Sequence, residues 1–275
     1  MLTLTATTKT PTIPNPIDLK TDPNPIDFKT DPNPLSPKPN SSTKITHSDI
    51  SSNIMWPNIK ATLNQCFNWE GITAAVSVVT KDRHLALPHI AVRDIRSIDW
   101  AEMERRGFRG VVFDKDNTIT APYSLSVWPP LVSNLEQCKS VFGDNIIVFS
   151  NSAGLYQYDP DGLKARAVED SLGIHVIRHG AKKPDGTAED IEKYFGCPTS
   201  LLIMVGDRHF TDVVFGNRNG LLTILAEPLT SAEEPFVVKQ VRRLEAALVN
   251  YWHRRGLKPK NHNLLSEAME CIKVP

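Results

Sequence analysis

The sequence predicts an α/β domain, a parallel sheet flanked by helices, and three observations carry that expectation. Short apolar, β-rich runs recur at 110–113, 145–150, 174–177, 201–205 and 222–225. Stretches with helical periodicity separate several of them, at 129–142, 161–172 and 184–195. Chemistry-bearing side chains begin where the apolar runs stop: Asp114 and Asp116 after the first, Ser150 and Asn151 after the second, Asp207 and Asp212 after the fourth. Short strands joined by single helices form right-handed βαβ units. Such sheets bind ligands beyond the carboxyl ends of their strands.

In chain order, residues 1–50 form an arm rich in Thr, Ser, Pro, Asn and Lys. They contain a tandem repeat, PNPIDLKTD then PNPIDFKTD, that decays into PNPLSPKPN. Proline at that density rules out helix and central strand, and too little apolar surface is present to offset the entropy of ordering, so disorder is expected. The start, MLTLTATTKTPT, is hydroxyl-rich and acid-free, which suggests a transit peptide. No arginine precedes Arg83, which disfavours a typical mitochondrial signal and favours a plastid address over a mitochondrial one. The alternative is a low-complexity arm without function.

A globular domain is expected over 55–255. It opens with Met55, Ile59, Leu63 and Phe67 at four-residue spacing, an amphipathic helix with Trp56 and Trp69 near its ends. It closes with a second amphipathic helix, in which Val237, Val238, Val241, Leu244, Leu248, Tyr251 and Trp252 recur beside Lys239, Arg242, Arg243, Arg254 and Arg255. That pattern suits either packing on the core or an anionic lipid surface, because apolar periodicity does not tell the two apart. Residues 256–275 are left as a tail.

Composition narrows the function. The chain has 275 residues, and its 31 basic and 31 acidic residues cancel, so no global field argues for nucleic acid. Cys66, Cys138, Cys197 and Cys271 are far apart and lack CxxC spacing, which disfavours zinc and a disulfide framework and fits a reducing compartment. No apolar run reaches the roughly 18 residues of a membrane-spanning helix. A soluble protein, or one lying on a membrane surface, is expected.

The most informative stretch is GVVFDKDNTIT, residues 110–120. Alternate side chains of a strand share a side, so Asp114 and Asp116 can both face the strand tip. Two adjacent carboxylates repel unless a cation sits between them, and Mg²⁺ is the expected hard, oxygen-seeking partner. Ser150, Lys183, Asp207 and Asp212 converge on the same sheet edge, giving the parts of a phosphoryl-transfer site. Taken singly, each has an ordinary structural reading: Ser150 as a turn or cap residue, Lys183 as a solvated charge, Asp207 as a turn former and Asp212 as a helix cap. His209 reads as a packing or substrate-contact residue rather than a ligand.

DKDNT matches the DxDxT first motif of the haloacid dehalogenase superfamily of phosphohydrolases; Ser150 matches its second motif, Lys183 its third and GDRHFTD its acidic fourth. The fuller text, with PHIAVRDIRSIDW, FRGVVFDKDNTITAPY, VFSNSAG, KKP and GDRHFTDVVFGNRNG, resembles the mitochondrial and plastid phosphatidylglycerophosphatase family over about residues 57–255.

The resemblance implies a Rossmann-like fold with Asp114 as the nucleophile and Asp116 as the acid and base. It further implies Mg²⁺ held by Asp114, the Asp116 carbonyl and Asp207, with Asp212 in support. Ser150 and Asn151 would bind the substrate phosphate, and Lys183 would balance the charge that develops there. About 36 residues separate Asp114 from Ser150 and about 33 separate Ser150 from Lys183, which the intervening elements use up, so no large cap domain is expected. An open site favours a bulky substrate. The expected function is therefore conversion of phosphatidylglycerophosphate to phosphatidylglycerol at the surface of an inner or envelope organelle membrane, a peripheral contact with anionic phospholipid. A phosphoprotein or nucleotide phosphatase is the alternative, and a non-catalytic membrane adaptor the further one.

Overall fold

A computed structural model describes residue 78 and residues 81–232, 234–265 and 271–273. The arm at 1–50 and the helix expected over Met55 to Phe67, with Trp56 and Trp69, lie outside the described residues.

Six parallel strands form one sheet: β1 (Ile90–Val92), β2 (Gly110–Phe113), β3 (Ile146–Val148), β4 (His175–Val176), β5 (Leu202–Gly206) and β6 (Leu222–Ala226). Their order across the sheet is β1-β6-β5-β2-β3-β4. From β2 the chain steps outward to β3 and β4, then returns to β5 on the other side of β2. That reversal opens a crevice at the carboxyl ends of β2 and β5, the place where such sheets bind ligands.

β2 is buried along its whole length, as a central parallel strand covered on both faces must be. Its residues alternate between two cores. Val111 and Phe113 enter a cluster with Trp100, Met103, Leu135, Cys138, Val168 and Leu172. Those residues come from helices α1 (Trp100–Arg105), α2 (Val132–Phe142) and α3 (Leu163–Leu172). Val112 points the other way, toward Met204, Ile191 and Phe215, the last two from α4 (Glu189–Phe195) and α5 (Val214–Arg218). Each large apolar side chain so buried contributes about 1.5–3 kcal/mol. A third cluster seats the long helix α6 (Phe236–Arg254) through Val249 and Trp252 against Leu85, Leu87, Phe210 and Val214.

Among the described residues no extra domain interrupts the sheet. Asp114 and Ser150 are separated by a loop, a 3-10 turn at Pro129–Leu131, α2 and β3; Ser150 and Lys183 are separated by a loop, α3 and β4.

Two expectations need correction. The helix expected from 184 begins at Glu189, because Pro184, Asp185 and Gly186 form a turn in which Asp185 donates to the Lys182 carbonyl and Gly186 has φ +96°. Lys183 is thus delivered from a turn. The lipid-surface alternative for α6 also needs narrowing, since Arg242 turns inward, where Asp207 and Glu234 pair with it.

Candidate active site

Asp114 is the first residue past β2, and its N–H donates to the Val205 carbonyl at 2.8 Å, extending the pairing of β2 with β5 by one step. Its carboxylate Oδ1 lies 2.8 Å from Lys183 Nζ. The same ammonium donates to Asp212 Oδ1 at 2.7 Å and to the Phe149 carbonyl at 2.7 Å. Three acceptors satisfy all three protons of a lysine whose side chain is 1% exposed, the condition under which a buried ammonium is tolerated. Burial alone would lower the Lys183 pKa; the carboxylates of Asp114 and Asp212 outweigh it and raise the value above normal.

Asp212 comes from a short π-helical turn, His209–Val213, in which Val213 N–H reaches back five residues to the Arg208 carbonyl. π-Turns recur at functional sites because they redirect a side chain without ending the helix. Here the turn folds Asp212 over the end of β5, and a Cβ at Gly206 would stand 2.4 Å from that of Asp212. Only glycine allows this approach.

Asp114, Asp207 and Asp212 each offer a carboxylate oxygen within 4.8 Å of the others, all three buried. Burial, reinforced by Asp212, pushes Asp114 up to about 7 even against Lys183. Burial likewise pushes Asp207 up to about 8, against the pull of Arg242. Asp207 Oδ2 is 2.7 Å from Arg242 Nη1 as an ion pair and is buried without a hydrogen bond. Three crowded, buried carboxylates, one with an oxygen that makes no hydrogen bond, fit a small divalent cation with a preference for oxygen.

Asp116 stands apart from that cluster. Lys115 Nζ and the Tyr123 N–H, at 2.8 Å, both donate to its Oδ1, and the Ser152 hydroxyl bonds its Oδ2. Lys115 is itself buried and also donates to the Ser124 carbonyl at 3.0 Å, tying the loop after Asp116 to the site. Ser150 is buried, with its Oγ 3.0 Å from that of Ser152. Asn151 turns its amide to the main chain of Lys183, accepting from the N–H at 2.9 Å and donating to the carbonyl at 3.3 Å. His209 bonds the Ala86 carbonyl through Nδ1 at 3.0 Å, away from these carboxylates, as a packing residue.

Sequence reasoning assigns no active-site role to Lys115, Ser152, Glu234 or Arg242. Lys115 and Ser152 lie inside quoted motifs, and their spacing from Asp116 and Ser150 was the available signal. Glu234 and Arg242 lie far along the chain from the four motifs, and nothing in their local sequence marks them.

The family model described as Mitochondrial PGP phosphatase matches residues 69–230. Phosphatidylglycerophosphate phosphatase 1, chloroplastic/mitochondrial, of Arabidopsis thaliana is 62% identical over 226 residues, which is 82% of this chain and 65% of that protein. The chain thus spans slightly less than two thirds of that relative. The chloroplastic phosphatidylglycerophosphate phosphatase 1 of Chlamydomonas reinhardtii is 45% identical over 83% of this chain and 82% of its own length. A Bacillus subtilis protein, probable phosphatase YqeG, is 28% identical over 62% of this chain and 93% of its own length. With the family model covering more than half of the chain and the algal relative aligned over most of both proteins, the chain belongs to the mitochondrial PGP phosphatase family.

Proposed function

We propose that this protein is a Mg²⁺-dependent phosphatase that removes the terminal phosphate of phosphatidylglycerophosphate, releasing phosphatidylglycerol. One observation carries the reading: Asp114 lies beside Lys183 in a buried carboxylate cluster, while Asp116 is held separately by its own partners. That separation divides the labour between a nucleophile and an acid. The names of the plant and algal relatives supply the substrate.

Asp114 attacks phosphorus, the bond to the leaving glycerol oxygen breaks, and that oxygen takes a proton from Asp116. Water then attacks the aspartyl-phosphate, Asp116 accepts its proton, and inorganic phosphate leaves with Asp114 restored. The partners of Asp116 indicate where this proton resides. Lys115 and the Tyr123 N–H can only donate, so Oδ1 must accept. The Ser152 hydroxyl can donate or accept, so Oδ2 is the oxygen free to give up and take back the proton during turnover.

Asp114, the Asp116 carbonyl and Asp207 would hold Mg²⁺, with Asp212 in support, and the bound ion would neutralise charge on the phosphoryl oxygens. Ser150 would hydrogen-bond a phosphoryl oxygen and Lys183 would offset charge in the transition state. Asn151 serves phosphate binding by fixing the main chain of Lys183.

The substrate is a lipid, and contact with an anionic membrane surface is part of the proposal. Its support is the outer face of α6, where Phe236, Leu244 and Tyr251 are exposed beside exposed Arg243, Arg254 and Arg255. No described helix is long and apolar enough to cross a membrane. By the relatives' names the setting is a chloroplast or mitochondrion, reached through the arm at 1–50. The catalytic domain is assigned to 55–255 and the tail to 256–275. Nothing in those names favours a phosphoprotein, a nucleotide or an adaptor role.

The test is phosphate release from vesicles containing phosphatidylglycerophosphate, with Mg²⁺ and with EDTA. Release that needs Mg²⁺ and far exceeds that from soluble phosphoesters is expected; equal rates on soluble phosphoesters would remove the lipid assignment.

A further inference from the structure

We propose that Arg242 and Glu234 are positioning residues of the active site, forming a strap that holds the Asp207 side of the metal site in register with the loop that follows Asp116. The proposal rests on the phosphatase reading above and adds two residues outside its four motifs.

The strap is continuous. Arg242 Nη1 lies 2.7 Å from Asp207 Oδ2 and donates to the Asp207 carbonyl at 2.9 Å. Arg242 Nη2 donates to Glu234 Oε1 at 2.6 Å, and the same oxygen accepts from Asn117 Nδ2 at 2.7 Å. Asn117 follows Asp116 directly and sits in the left-handed region at φ 63°, which an asparagine tolerates when its surroundings fix it. Those surroundings are Glu234 on one side, with Thr230 N–H on its Oδ1 and Leu229 N–H on its carbonyl on the other. Two segments that carry proposed metal ligands, the end of β5 and the loop after β2, are thereby joined through residues from 229 to 242.

A second grip reinforces the first. Glu245 is three residues beyond Arg242 and so lies on the same helical face, where its carboxylate takes Arg208 by both Nη2, at 2.6 Å, and Nε, at 3.2 Å. α6 therefore holds Asp207 directly and again through its neighbour. The side chains of Asp207, Glu234 and Glu245 are 3%, 7% and 5% exposed, so water does not replace a lost partner easily. A guanidinium fork reaches the carboxylate, the carbonyl and Glu234 at once; the single nitrogen of a lysine cannot.

The experiment compares wild type with Arg242→Lys, Glu234→Ala and Glu234→Gln in the full chain. Mg²⁺ binding is measured by calorimetry, kcat and KM with p-nitrophenyl phosphate, and melting temperature alongside. Arg242→Lys and Glu234→Ala are expected to weaken Mg²⁺ binding about tenfold or more, the usual cost of losing an outer partner of a metal ligand, and to lower kcat more than they change KM. Glu234→Gln keeps the acceptor oxygen and should restore most of the binding. Wild-type Mg²⁺ affinity in both Arg242→Lys and Glu234→Ala, with only a lower melting temperature, would overturn the strap, as would a wild type that binds no Mg²⁺. Wild-type turnover tests the phosphatase reading separately, since calorimetry decides the strap even if no p-nitrophenol is released.

Discussion

The partners of Asp116 set the sharpest expectations at the scale of single residues. Asp114→Asn should abolish turnover, because an amide is a poor nucleophile; retained steady-state hydrolysis would sink the proposed mechanism. Asp116→Asn removes the acid and base and should cost about 10²–10⁴ in kcat. Ser152→Ala leaves the carboxylate in place but removes the hydroxyl that bonds its Oδ2, so a loss of about tenfold is expected, on the scale of one hydrogen bond. The loss should be larger for an alkyl phosphate, whose leaving alcohol needs a proton, than for p-nitrophenyl phosphate. Equal losses on both substrates would assign Ser152 to packing. Asp114, Ser150, Lys183 and Asp207 were legible because each follows an apolar run or belongs to a recognisable motif. Ser152 and Lys115 were on the same lines of sequence, but a side chain's choice of partner is made in three dimensions, and Lys115 between two aspartates looks like any solvated lysine until it is found buried.

At the scale of elements, runs of β-branched residues located five of the six strands, with ends shifted by a residue or two. β1 escaped because Ile90–Val92 is a three-residue strand that, among the described residues, pairs only with β6. α1 escaped although its start carries a capping signal, Asp99 accepting from the N–H of Glu102 three residues on. The π-turn at Asp212 has no local pattern, since it depends on Gly206 admitting the turn above it.

Helix α6 was legible as an amphipathic helix, but periodicity could not assign its faces. The structure turns Arg242 and Glu245 inward and leaves Phe236, Leu244 and Tyr251 outside. Replacing Arg243, Arg254 and Arg255 with glutamine should therefore weaken binding to anionic vesicles about 100-fold, at about 1 kcal/mol for each residue. Turnover of a soluble phosphoester should be unchanged. Co-sedimentation that is indifferent to the triple change and to salt would place the membrane contact elsewhere on the protein.

For the whole molecule, the arm and the domain make separable predictions. Residues 1–50 contain none of the site residues, so a chain starting near 51 should keep its rate on p-nitrophenyl phosphate, while a reporter fused to 1–50 should enter plastids. A rate collapse in the first assay, or a wholly cytosolic reporter in the second, would reject the respective reading.

The buried carboxylates bear on the stability of the entire domain. In the metal-free protein Asp114 and Asp207 are raised from 3.8 to about 7 and about 8. The folded state thus keeps protons that the unfolded chain has already released, so the stability from this source is full below about pH 4 and lost by about pH 8. His89, lowered by burial from 6.5 to about 4, works in the opposite sense, as do His179, His209 and His262, which burial also lowers; their stabilisation grows as pH rises toward 6.5. Lys183, raised, stays charged throughout. The carboxyl contribution is therefore cleanest above about pH 6.5, where the melting temperature in EDTA should fall as pH rises to 8. Mg²⁺ binds the ionised carboxylates and competes with their protons, so its stabilisation should be greater at pH 8 than at pH 6.5. Asp207→Asn should flatten both trends, because it removes the higher of the two titrations and a proposed ligand together. Melting curves in EDTA and in Mg²⁺ across that range decide the matter, and a Mg²⁺ shift independent of pH would argue that the cluster does not bind the ion.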